Sequence, residues 1–115
     1  MSQSHVLVKV YGHVWPADTA LERALEPLAG EAVPAPEEIP VLEREGDLLR
    51  LSFEGMYFPV DEVVETLRQH LTPASHGKVD YLDMEAWILT RHSILDGKIH
   101  SNTVPLNHVL DYSGH

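Results

Sequence analysis

The sequence predicts an α+β domain, a mostly antiparallel sheet with two main helices on one face. Three observations point there: stretches of alternating apolar and polar residues, two stretches of apolar residues at helical spacing, and turn signals between them. The first strand is HVLVKVYGHVW, residues 5–15, where Val6, Val8 and Val10 share a face and the β-branched content suits a sheet. Pro16 ends it. In the following ADTALERALEPLAG, Ala17, Ala20, Leu21, Ala24, Leu25 and Leu28 form one helical stripe. Thr19 with Glu22 makes a capping box, and Asp18 is the other candidate cap. Pro27 lacks a backbone donor, so the helix is expected to kink or stop near Leu25, before Gly30.

Residues 31–40 hold three prolines and read as an exposed connection, too short to divide domains. IPVLEREGDLLRLSFEG then reads as a hairpin turning at Glu45-Gly46-Asp47. In it Leu49, Leu51 and Phe53 face one way, and Arg50, Ser52 and Glu54 the other. The clearest helix is PVDEVVETLRQHL, with Val60, Val63, Val64, Leu67 and Leu71 on its apolar face. Pro59 starts it, Asp61 and Glu62 suit its first turn, and Thr72-Pro73 ends it.

KVDYL fits a strand with Val79 and Tyr81 on one side. Residues 83–95 fit either state. A helix would align Met84, Trp87, Ile88, Arg91 and Leu95, whereas Asp96-Gly97 between SIL and KIHSNTV is a two-residue hairpin signal. The hairpin is favoured. Pro105 starts a short closing C-terminal helix containing Leu106, Val109 and Leu110. The resulting order, strand, helix, hairpin, helix, strands and short helix, fits a ferredoxin-like arrangement or a variant of it.

A chain of 115 residues fits a single domain and buries about two thirds of its extended surface. Its formal charge is −10, from 18 acidic and 8 basic residues. The excess is spread out, with four basic against ten acidic residues in 1–60 and four against eight in 61–115. Nucleic acid and anionic membranes are therefore disfavoured as partners, because phosphate contacts need clustered lysine and arginine. The chain contains no cysteine, which excludes thiol nucleophiles and cysteine-rich zinc sites and is compatible with the cytoplasm. The N-terminal apolar run is interrupted by Lys9 and is neither a signal peptide nor a membrane span.

Catalytic motifs are scarce. There is no GxSxG elbow, no GxGxxG and no GxxxxGK[ST]. Ser75-His76 and HSILD contain triad residue types without triad geometry. Asp83 and Glu85 would share a face if DYLDMEAW were a strand, as a carboxylate pair needs, but no cleft is visible around them. Lys98 and Arg91 are single basic residues with acidic neighbours to pair with.

The eight histidines are dispersed, without an HxH or HExxH pair. A two-residue hairpin at Asp96-Gly97 pairs Leu95 with Lys98 and sets His92 opposite Ser101, diagonal to His100. At the C-terminus, a helix running to the end would align His108, Asp111 and His115. Ser113-Gly114 should end that helix first, which favours a plain solvent-facing turn.

Met56, Tyr57 and Phe58 cannot all face inward if the strand continues past Gly55, and Trp15 and Trp87 raise the same question. An interaction surface needs only exposed apolar anchors, whereas an enzyme needs a converged site. The expectation is therefore an acidic, cytoplasmic domain that acts by protein–protein contact, as a homodimer or accessory subunit. Its anchors would be Tyr57, Phe58, Trp87 and Trp15, and it would need no cofactor. The alternative is a metal-binding protein or small metal-dependent enzyme using His92, His100, His108, Asp111 and His115.

Overall fold

A computed structural model of the chain describes residues 6–34 and 40–106. In chain order the elements are β1 (Val8–Trp15), α1 (Thr19–Glu31), β2 (Val33–Pro34), β3 (Leu42–Glu45), β4 (Leu48–Tyr57), α2 (Val60–His70), β5 (His76–Asp83), β6 (Ile88–Leu95) and β7 (Lys98–Pro105). The strands form one seven-stranded sheet in the order β2-β4-β1-β5-β6-β7, and β3 also pairs with β4. Every pairing is antiparallel. β2 and β3 occupy successive stretches of the same β4 edge, so the connection expected at 31–40 contributes two residues of strand.

Pleat parity decides which residues form the core. Val8, Val10 and Val14 lie opposite Gly55, Phe53 and Leu49 on β4, with Leu51 and Val79 on the same side. Leu21 and Leu25 of α1 and Val63 and Leu67 of α2 join the same buried cluster. Both helices therefore cover one sheet face, each fully buried aliphatic side chain contributing about 1.5–3 kcal/mol. The other face of the sheet carries no described helix.

Local chemistry sets the element ends. Asp18, not Thr19, caps α1, its Oδ1 accepting the Leu21 N–H at 2.9 Å. The helix does not stop near Leu25: α1 carries Pro27 inside it and continues to Glu31. Pro27 and Arg23 are both exposed, so water can reach the carbonyl that Pro27 leaves without an amide partner. α2 runs as expected from its Pro59 start, with Asp61 and Glu62 in the first turn and Arg68 and His70 in the last.

Residues 84–87 form a turn rather than helix or strand. The Asp83 Oδ1 accepts the backbone N–H groups of Glu85 at 3.0 Å and Ala86 at 2.9 Å. Asp83 is thus a turn-former and Glu85 lies outside the strand, so the two carboxylates do not share a strand face. Beyond the turn, β6 and β7 form the expected hairpin about Asp96 (φ 54°) and Gly97 (φ 78°), the backbone of a type I′ turn. Leu106 is buried, and the rest of the expected closing helix lies outside the described residues.

Candidate functional site

The helix-free face takes its side chains from alternate positions of five strands. Pairing register lines them up in rows across the sheet. One row is Arg50, His13, Lys78, Ser93 and His100, and the next is Ser52, Tyr11, Asp80, Arg91 and Asn102. Trp15 lies opposite His76, with ring centroids 5.0 Å apart. At this end of the face a shallow depression of about 600 Å³ is lined by Gly12, His13, Trp15, Leu48, Arg50 and His76.

The side chains that line the depression include Arg50 and two histidines and no carboxylate, on a protein of net charge −10. His13 is held below the ordinary histidine range, first by burial and then by the positive charges of Lys78, His76 and Arg50, with Asp80 opposing them. Arg50 Nη2 lies 3.0 Å from Glu45 Oε1, but these side chains are 53% and 70% exposed, so the pair holds the guanidinium only weakly. Lys78 approaches Asp80 at 3.4 Å, while Asp80 is already gripped by Arg91 through two bonds of 2.7 and 2.9 Å. One carboxylate thus faces two cations. Tyr11 donates to Glu54, and burial together with that carboxylate pushes its pKa up to about 12.

The residues singled out as interaction anchors divide between surface and core. Tyr57 is 48% exposed, and Trp15 and Trp87 are each 43% exposed. Phe58 is 3% exposed, with its ring 5.2 Å from that of Phe53, so it belongs to the core and drops out of any docking surface. The three exposed rings do not form one patch. Tyr57 and Trp87 lie at the sheet end where Val8 pairs with Gly55 and Asp83, and Trp15 lies at the opposite end.

Of the alternative ligand set, the two described residues, His92 and His100, do not converge. His92 pairs with Ser101, its Nδ1 lying 2.7 Å from the serine Oγ, whereas His100 pairs with Ser93. Neighbouring positions on a strand face opposite ways, so His92 points to the helix side and His100 to the open side. They cannot bind one ion. His108, Asp111 and His115 lie outside the described residues, and among the described residues no three histidine or carboxylate side chains gather as a metal site would require.

Ser75 is not an exposed nucleophile. It is buried, with its Oγ accepting the Thr72 N–H at 2.8 Å and its carbonyl accepting the Gly97 N–H at 3.1 Å.

The two sheet edges differ. One edge is interrupted: β2 is two residues long, contains Pro34 and joins β4 with a register shift, and β3 is a separate short strand. The other is β7, eight regularly paired residues with no second neighbour among the described residues. In its two-residue hairpin, Leu95 and Lys98 form the closing hydrogen-bonded pair, so even-numbered β7 residues bond to β6. The Leu106 N–H, bonded to the Trp87 carbonyl at 3.0 Å, continues that parity. Ile99, Ser101 and Thr103 consequently turn their N–H and C=O groups outward. No residue of β7 is acidic, and Ser101, Asn102 and Thr103 are exposed.

No described helix is long and apolar enough to cross a membrane. No protein-family model, curated protein or solved structure matches the chain.

Proposed function

We propose that this chain is a cytoplasmic interaction module that pairs with a second copy of itself along β7. The observation that carries this reading is the contrast between edges. An unpaired row of backbone donors and acceptors is a template for another strand, and proteins commonly blunt it with proline, charge, bulges or short segments. The β2/β3 edge has such devices. β7 has only Lys98 and Pro105, at its two ends.

A second copy fits this edge by symmetry. A two-fold axis perpendicular to the sheet keeps both helical layers on one side and pairs positions of like parity. Centred on Ser101, it sets Ser101 against itself, His100 against Asn102, Ile99 against Thr103 and Lys98 against Val104. No like charges meet. The outward groups of Ile99, Ser101 and Thr103 then form six backbone hydrogen bonds across the pair. The exposure of Ser101 and Thr103 on the helix side leaves room for the approaching strand.

The segment from β1 to β5 is read as a ferredoxin-like unit extended by the β6–β7 hairpin. Its element order, with β5, β1, β4 and β3 adjacent in that sequence across the sheet, supports this reading.

Native mass spectrometry and sedimentation of the full chain test the pairing. A dimer is expected. Ser101→Pro removes an outward backbone donor while leaving the backbone bonds to β6 in place, and Ser101→Lys places two ammonium groups at the axis. Both lose the hydroxyl contact to His92, and each should weaken the dimer at least roughly tenfold. A wild-type monomer, or a dimer indifferent to both substitutions, sinks the reading.

A further inference from the structure

The depression at the Trp15 end of the helix-free face lies on β1, β4 and β5, away from β7, so it does not depend on the proposed pairing. We propose that it is a binding site for a small planar anion, an aromatic ring bearing a carboxylate or a phosphate. Three observations converge on that chemistry. Trp15 and the His76 ring, 5.0 Å apart, provide flat surfaces against which a ring can pack. Arg50 and His13 line the same hollow, with Lys78 beside His13 in its row, so anionic oxygens meet donors from three strands. The hollow of about 600 Å³ exceeds the needs of one ring and its acidic group.

Charge gives the site its selectivity. The molecule carries a net −10, so a simple anion is repelled over most of its surface. Here the acidic neighbours are Glu43, opposite Arg50 on β3, Glu45, loosely held to Arg50, and Asp80, already gripped by Arg91; none of them lines the hollow itself. Arg50 and Lys78 remain as the local cations, and a ring N–H of His13 supplies a further donor. Ring and charge are both required, because the hollow is shallow and neither contact alone offsets the cost of ordering a small ligand.

Phenyl phosphate and benzoate are the test ligands, with inorganic phosphate and phenol as the charge-only and ring-only controls. Titration of the full chain is followed by NMR at the Trp15 indole and the His13 and His76 rings. Both test ligands should bind in the millimolar range, shift those three residues together and bind at least roughly tenfold more tightly than either control. Arg50→Gln, at an exposed side chain, and separately Lys78→Gln should each weaken binding severalfold while leaving the rest of the spectrum in place. Absence of shifts with either test ligand overturns the proposal. Controls that match the test ligands overturn it as well, as does affinity unchanged in both variants.

Discussion

Arg44 ties together three places in the chain. Its guanidinium donates to Glu22 Oε1 at 2.7 Å, to the carbonyls of Ala17 and Asp18 at 2.8 and 2.9 Å, and to the Gly46 carbonyl at 3.0 Å. It thereby joins the entry of α1 to the β3–β4 turn. The side chain is 24% exposed, so these bonds are only partly screened by water. Arg44→Met should cost about 2 kcal/mol and lower the melting temperature by roughly 10 °C, read by thermal denaturation. Arg44→Lys should recover little, because an ammonium cannot span the same fork of acceptors. A melting point unchanged in both variants would show that the clamp contributes nothing. The sequence carries no signal for this residue, since its partners lie up to 27 positions away. Phe58 was ambiguous for a related reason: alternation shows that Met56, Tyr57 and Phe58 cannot all be buried, but the chain's exit from β4 decides which one is.

At the scale of elements, the turn glycines separate backbone strain from packing. Gly46 and Gly97 both have positive φ, 63° and 78°. A β-carbon on Gly46 would meet nothing within 4 Å, whereas one on Gly97 would lie 2.5 Å from the Thr72 carbonyl oxygen. Gly46→Ala should therefore cost only the left-handed penalty of about 1 kcal/mol. Gly97→Ala adds a collision with the loop that receives the hairpin tip, for a total of about 3 kcal/mol. Denaturant unfolding checks the difference, and equal losses would mean that the tip is not docked as described. Much of this level was legible. Alternation marked β1, β4 and β5, helical spacing marked α2, and Asp96-Gly97 marked the last hairpin. The continuation of α1 through Pro27 was implicit in its apolar stripe, which leaves Arg23 and Pro27 together on the face that meets water. The His92/His100 separation was implicit in the register already read, since neighbouring positions on a strand face opposite ways.

At the scale of the whole molecule, sheet order is what pattern alone could not supply. Lys9, Tyr11, His13 and Trp15 alternate with Val8, Val10, Gly12 and Val14, which marks a second face, but nothing local places Arg50 and Lys78 on either side of His13. That adjacency creates a basic hollow on a molecule of net charge −10, and the contrast gives the two proposed interactions opposite responses to salt. Two copies repel through their total charge, so pairing along β7, whose Lys98 meets no acidic residue across the pair, is opposed at low ionic strength and relieved as the screening length shortens. Between about 0.01 and 0.15 M salt that length falls from about 30 to about 8 Å, less than the separation of two domain centres, and the dimer should tighten roughly tenfold. Phenyl phosphate in the depression feels first the nearby Arg50 and Lys78, so its binding should weaken over the same range. Sedimentation and NMR titration on one protein preparation, at matched salt concentrations, compare the two responses directly. If the dimer loosens with salt, charge is drawing the copies together, and the β7 edge, which has no acidic residue to meet Lys98, is not the surface that joins them.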